Sequence, residues 1–394
     1  MARQRVSIRF GLLVAVLFFG FAGFGASLAL LPARIDELGR GDVALGVSAG
    51  VFSVAAIVSR LLGGYLVDTI GSRITVGLSL VAAALGGATY LAPGLGGVLA
   101  ARIVQGVADA VLYTAVATVA LDMVPEDRRS QALGWLSGGL WAGLSSGAAL
   151  TTWVDDIRRM GVIVAVVALA SLAIVALLPP GRPSAEDLAA RANTGRWRNL
   201  LAPEAYRPGV VLGFTNLGYA AFTGFAVRFA SDRFEHANLV LTSFAVTLLV
   251  ARAGFGWLVD RLPARRALDV GHGLMIVGLL LTAAAQQFWM AVAGAMIAAI
   301  GHSVPWPVLA TSTLDVAGPA RRGAVIGTLS AWFDAFVAVA LFAFGVVADQ
   351  FGVGAVFIVA AVGVVAANAL SRTIRTGRLA DPRIAATPMA TSAS

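Results

Sequence analysis

Long apolar runs recur along the whole chain, separated by short polar segments that hold Pro, Gly, Asp and Arg. The pattern predicts helices at residues 9–32, 43–66, 74–92, 96–122, 131–152 and 160–178. A second set is predicted at 208–230, 238–259, 267–286, 288–315, 323–347 and 352–372. Each run is close to the roughly 20 residues that carry a helix across a bilayer, where only a helix satisfies its own backbone. The first run follows Arg3, Arg5 and Arg9 but is longer than a secretory signal core, so it reads as a retained helix. In the tenth run, Pro305-Trp306-Pro307 should break the helix, because each proline deletes a backbone donor and clashes with the preceding turn. Gly139, Gly143 and Gly147 recur every four residues in the fifth, the spacing of close helix packing.

Composition agrees with a membrane protein. The 394 residues are 58% hydrophobic and 13% charged, where a soluble domain carries about a quarter charged residues. There is no cysteine, which excludes disulfides, thiolate metal sites and a Cys nucleophile. There is no lysine either, so all 29 basic residues are arginine, and neither a Walker lysine nor Schiff-base chemistry is available. The histidines, His236, His272 and His302, are too scattered for a metal cluster, and no Ser/His/Asp grouping or zinc helix is visible. No metal, no cofactor and no enzymatic activity are expected.

Arginine placement sets the expected orientation. With the N-terminus inside, 20 arginines fall on cytoplasmic segments and 6 on outer ones, as the positive-inside rule requires. A multi-pass inner-membrane protein with both termini cytoplasmic is expected, its net charge of +8 serving topology and lipid headgroups rather than nucleic acid. The polar stretch 179–207 reads as a cytoplasmic linker between two six-helix halves, residues 1–178 and 208–372. Residues 373–394 read as a disordered tail.

The halves repeat each other. Val58-Ser-Arg60-Leu-Leu-Gly-Gly64-Tyr-Leu66-Val67-Asp68 aligns with Val250-Ala-Arg252-Ala-Gly-Phe-Gly256-Trp-Leu258-Val259-Asp260 at an offset of 192, with six of eleven positions identical. Asp122, Arg128, Arg129 and Gly134 match Asp315, Arg321, Arg322 and Gly327 at an offset of 193. Two six-helix halves related by an axis along the membrane normal are a transporter architecture.

Gly64-Tyr-Leu-Val-Asp68-Thr-Ile-Gly71-Ser-Arg73 resembles the loop 2–3 signature of the major facilitator superfamily, and Gly256-Trp-Leu-Val-Asp260-Arg261 resembles its second-half copy. Arg102-Ile-Val-Gln105-Gly106 is similar to the superfamily's helix-4 motif, frequent in proton-coupled members. The resemblance covers about residues 10–372 and implies twelve helices in two pseudo-symmetric halves. It also implies a gating role for Gly64, Asp68, Arg73 and Asp260, latching the halves when the cavity faces outward, and Arg60 and Arg252, which look like those of bacterial efflux-type members, are grouped with them for gating. The helix-5 antiporter motif differs here: Gly138-Gly139-Leu-Trp-Ala-Gly143-Leu-Ser-Ser-Gly147 keeps the glycine spacing without the Gly-Pro pair.

Arg102, Gln105, Asp109 and Tyr113 stand at i, i+3, i+7 and i+11, one stripe on one helix face. Charges near mid-bilayer face protein or water, so the stripe should line a central cavity, with Asp109 as a proton carrier influenced by Arg102. A structural polar network is the alternative. Asp334 is the other isolated membrane carboxylate and the second candidate for coupling. Asn216, Tyr219, His302, Trp306 and Trp332 are further cavity candidates. The expected function is alternating-access secondary transport, as proton-coupled export of a small amphiphilic organic compound by a monomer. The rivals are proton-coupled uptake or uniport of a sugar or organic acid, and a non-transporting membrane sensor or scaffold.

Overall fold

The computed structural model describes residues 2–124, 129–177, 202–254, 262–317 and 322–374. Among them the chain is helical, with no strand. The first six helices are α1 (Ala2–Glu37), α2 (Asp42–Ile70), α3 (Ser72–Thr89), α4 (Gly94–Asp122), α5 (Arg129–Leu150) and α6 (Ile157–Ala176). After a short 3₁₀ turn, Pro203–Ala205, come α7 (Tyr206–Ser231), α8 (Asn238–Gly254), α9 (Ala264–Ala283), α10 (Phe288–His302), α11 (Pro305–Ala317), α12 (Arg322–Phe351) and α13 (Val353–Ser371). Ten spans among the described residues are long and apolar enough to cross a membrane, α10 and α11 counting as one, and α5 and α8 occupy the places of the fifth and eighth expected crossings. The chain is an all-α, multi-pass membrane protein. Most of the stretches expected as linker and tail lie outside the described residues.

The predicted break in the tenth span falls at Ser303 and Val304. It places Pro305 and Pro307 in the first turn of α11, where backbone N–H groups have no helical partner, so neither proline costs a hydrogen bond. In the loop before α6, the side chain of Asp156 caps that helix, accepting from the backbone N–H groups of Arg158 at 2.6 Å and Arg159 at 3.2 Å.

Burial is arranged for lipid rather than for water. Arg102 is 1% exposed at the centre of the bundle while Val339 on its flank is 69% exposed. Valines and leucines such as Val58, Leu85, Val166 and Val362 likewise face outwards. The predicted glycine face of α5 packs on α1: a Cβ at Gly143 or Gly147 would collide with the backbone carbonyls of Phe18 and Ala22.

Helices α1 to α6 pack mainly among themselves, as do α7 to α13, and the groups meet along two seams, α2 against α12 and α5 against α8. At the end of the bundle that carries the α1–α2 loop, these seams are tight. Gly46 of α2 lies directly on Gly345 and the Leu341 carbonyl of α12. Asn238 donates to Thr151 Oγ1 across the other seam at 2.9 Å. Arg228 of α7 reaches Asp36 at 2.6 Å and Asp42 at 2.8 Å.

Candidate functional site

A cavity of about 250 Å³ lies mid-bundle where α1, α2, α4, α5, α7, α8, α11 and α12 converge. Phe21, Phe24, Phe52, Trp141, Tyr219 and Phe333 give it an aromatic wall. Five charged side chains interrupt that wall among the described residues: Arg60, Arg102, Arg252, Asp109 and Asp334. Those three arginines are also the ones that the topological count assigns to neither loop set, so all of the mid-span arginines meet here. Burying a charge in a low-dielectric interior is costly, so each of the five needs a physical account.

Three of them have protein partners. Arg60 of α2 and Asp334 of α12 form a two-pronged pair across the seam, Nε to Oδ2 at 2.6 Å and Nη2 to Oδ1 at 3.4 Å. Arg102 donates from Nε to the Ser48 carbonyl at 3.2 Å and from Nη1 to Gln105 Oε1 at 3.1 Å. Its guanidinium also lies over the Phe52 ring at 4.5 Å and near the Phe24 ring at 5.5 Å, an arrangement that stabilises a desolvated cation.

The other two are incomplete. Asp109 Oδ2 is buried without a hydrogen-bond partner, and no ion pair joins this carboxylate to Arg102 among the described residues. Arg252 of α8 sits 5.5 Å from the Trp141 ring centroid, and its Nε is buried without a partner.

The structure sorts the expected site residues. Arg102, Asp109, Tyr113, Tyr219, Trp306 and Asp334 line the cavity. Gln105 lies behind that wall as the hub of a network: Oε1 accepts from Tyr90 as well as Arg102, and Nε2 donates to Ser27 Oγ at 2.8 Å. Asn216 is buried inside α7's packing and donates to the Leu212 carbonyl. His302 stacks on Tyr219 from outside the cavity, its centroid 5.5 Å away, and Trp332 packs on Gly209 of α7 and on Phe336. These four are therefore packing groups behind the wall in this conformation, because the rotation of each helix about its axis turns them away from the lumen.

Of the residues grouped for gating, Arg73 donates to the Ala176 carbonyl at 2.9 Å and so closes the C-terminus of α6. Gly64 and Asp68 fall within α2, but their surroundings, like Asp260, lie outside the described residues. Arg60 and Arg252 differ most from their expected grouping, since both reach the cavity wall. The signal that finds them is their depth: a charge about two turns from the nearer end of its expected apolar run has to face inward.

The sequence repeat extends into the cavity. Ser137, Leu140, Trp141 and Leu144 of α5 map by the offset of 193 onto Ser330, Phe333, Asp334 and Val337 of α12, and all of these line the wall. Arg60 maps onto Arg252 by the offset of 192. Thus α2 meets α12 as α8 meets α5, with the same arginine at each seam and a different residue opposite it.

The family model described as Major Facilitator Superfamily matches residues 12–236 and 229–385. An uncharacterized MFS-type transporter of Burkholderia mallei (strain SAVP1) is 26% identical over 388 residues, covering 95% of this chain and 94% of the relative. Among solved structures, a bacterial homologue of the human lysosomal transporter Spinster, in an inward-facing and unoccupied conformation, superposes with a TM-score of 0.75. It is 13% identical, over 93% of this chain and 96% of that one. The nucleoside transporter NupG superposes with a TM-score of 0.74 at 13% identity, over 92% of this chain and 98% of that one.

Proposed function

The chain belongs to the major facilitator superfamily, and on that premise we propose that it is a proton-coupled secondary transporter exporting a small amphiphilic organic compound by alternating access. One observation carries this reading: an aromatic cavity at the junction of two repeat-related helix groups holds two carboxylates, one of them without a partner. An unpartnered buried carboxylate brings no structural benefit in apolar surroundings, but it suits a group that must take up and release a proton during a cycle. Taking the arginine-poor α1–α2 end as the outer face, the Arg228 pairs with Asp36 and Asp42 hold that side together, as an inward-facing state requires. Rocking the two helix groups about the seams would break those pairs and turn the cavity outwards.

Proteoliposomes under an imposed pH gradient test the reading. Wild-type protein is expected to accumulate an amphiphilic probe against its gradient. Asp109→Asn is expected to lose that accumulation while keeping exchange of labelled for unlabelled probe, because a permanently neutral group mimics the protonated state. Full gradient-driven accumulation by Asp109→Asn removes Asp109 as the carrier. Wild-type flux indifferent to every ion gradient replaces coupled export with uniport.

A further inference from the structure

We infer that Arg252 is the recognition group for an organic anion with an aromatic body, an assignment that rests on the transport reading and names its substrate class. The repeat shows where the counter-charge of Arg252 ought to be. Its counterpart, Arg60, is satisfied by Asp334 at 2.6 Å, and the position equivalent to Asp334 opposite Arg252 is Trp141. The indole presents its face to the guanidinium and neutralises no charge. Among the described residues, one seam is therefore closed by a carboxylate of the protein, and the other lacks one.

The charge balance of the wall points the same way. Among the described residues, three arginines face two aspartates, which leaves one uncompensated positive charge when both carboxylates are ionised, and more when Asp109 carries a proton. Arg60 is neutralised by Asp334, and Arg102 is engaged by the Ser48 carbonyl, Gln105 and two phenyl rings. Arg252 is the cation left with a buried, unused donor on the cavity wall. A guanidinium binds carboxylate or sulfonate through paired N–H donors, and the bond is strong where water is excluded. Trp141 and Tyr219, perpendicular with centroids 6.0 Å apart, flank the site and suit a planar ring attached to the anion. An ammonium would meet uncompensated like charge in the same place, and a neutral ligand would leave the arginine's charge unanswered.

The test uses the full-length protein in nanodiscs and three probes of one shape: 2-naphthoate, 2-naphthylmethylammonium and 2-naphthalenemethanol. Calorimetry is expected to give naphthoate an affinity about tenfold or more above the other two. Arg252→Gln should erase that preference and Arg252→Lys should keep part of it, with thermal unfolding showing that both variants are folded. Equal or better binding of the ammonium or the alcohol overturns the assignment, as does failure of naphthoate to bind or an unchanged preference in Arg252→Gln. Nanodiscs with and without anionic lipid separate the two sources of an amphiphilic anion. Naphthoate affinity that falls as anionic lipid rises assigns the site to a lipid headgroup and overturns the soluble-anion assignment. Gradient-driven movement of the ammonium or alcohol alone would keep the transport reading and remove the anion site. Naphthoate binding without any response of flux to a gradient would keep the anion site and remove proton coupling.

Discussion

At the α2–α12 seam an arginine finds a carboxylate, whereas at the related α5–α8 seam the equivalent arginine finds an indole. The helices on both sides share the same pattern, and the lining positions correspond residue for residue over a turn and more. The first seam is electrostatically complete and reads as a tether between the two helix groups. The second keeps an unanswered charge facing the lumen. The repeat is kept at the first seam and broken at the second, which is where the proposed anion site lies.

The largest effect is expected from completing the second seam. Trp141→Asp would offer Arg252 the carboxylate that Arg60 already has, and naphthoate affinity should fall about a hundredfold as an internal ion pair replaces the ligand. Unchanged affinity in calorimetry would break the comparison at its root.

Next comes the contrast between the two arginines in stability. Arg60→Gln strands Asp334 and should destabilise the fold by about 2 kcal/mol, less than a fully buried pair because the Arg60 side chain is 37% exposed. Arg252→Gln removes a charge that has no counter-ion among the described residues, so thermal unfolding should find it neutral or stabilised. Equal losses in the two variants would mean that Arg252 has a partner after all.

A smaller effect concerns the end where both seams are tight. Arg228→Ala removes the bonds to Asp36 and Asp42 that reinforce the seams at the α1–α2 end. Because the chain contains no cysteine, Thr223→Cys on the cavity wall gives a single reporter. An impermeant maleimide added on the α1–α2 side should label it about fivefold faster in the Arg228→Ala background, for a shift on the order of 1 kcal/mol. No acceleration would leave the closure of that end to the Gly46–Gly345 crossing and the Asn238–Thr151 contact.

The smallest is a reference lying off both seams. Asp156→Ala should cost about 1 kcal/mol as a lost helix cap and leave probe affinity unchanged. Partial burial works to raise the Asp156 pKa, but the N–H bonds from Arg159 and Arg158 and their charges outweigh it and hold the carboxyl below its ordinary value. A depressed folded-state pKa stabilises above the unfolded pKa and fades as pH falls through the folded one. The difference in melting temperature between wild type and Asp156→Ala should therefore shrink in acid below the ordinary carboxylate range.

Much of this molecule is legible in its amino-acid sequence. The apolar runs, the proline break in the tenth span and the glycine face of α5 are local consequences of backbone chemistry, and the structure shows each within a few residues of its predicted place. The depth of Arg102, Asp109 and Asp334 also follows from helix length, and all of them line the cavity. Gln105 and His302 are less legible. Helical spacing puts Gln105 on the Arg102 stripe, yet Tyr90 and Ser27 from two neighbouring helices draw it into the packing. His302 similarly belongs to the ring stack behind Tyr219.

The membrane class, the crossings, the repeat and the identity of the charges that must be buried all follow from the order of residues. Each depends on the period of a single helix or on the solvation cost of a single side chain. Which buried charges meet is a matter of packing between helices. The Arg60–Asp334 pair joins residues 274 positions apart, and its existence depends on the seam between α2 and α12, on the rotation of both helices, and on rotamers set by their neighbours. No periodicity encodes those three things. The same packing that brings a carboxylate to Arg60 brings Trp141 to Arg252 and leaves its charge facing the cavity.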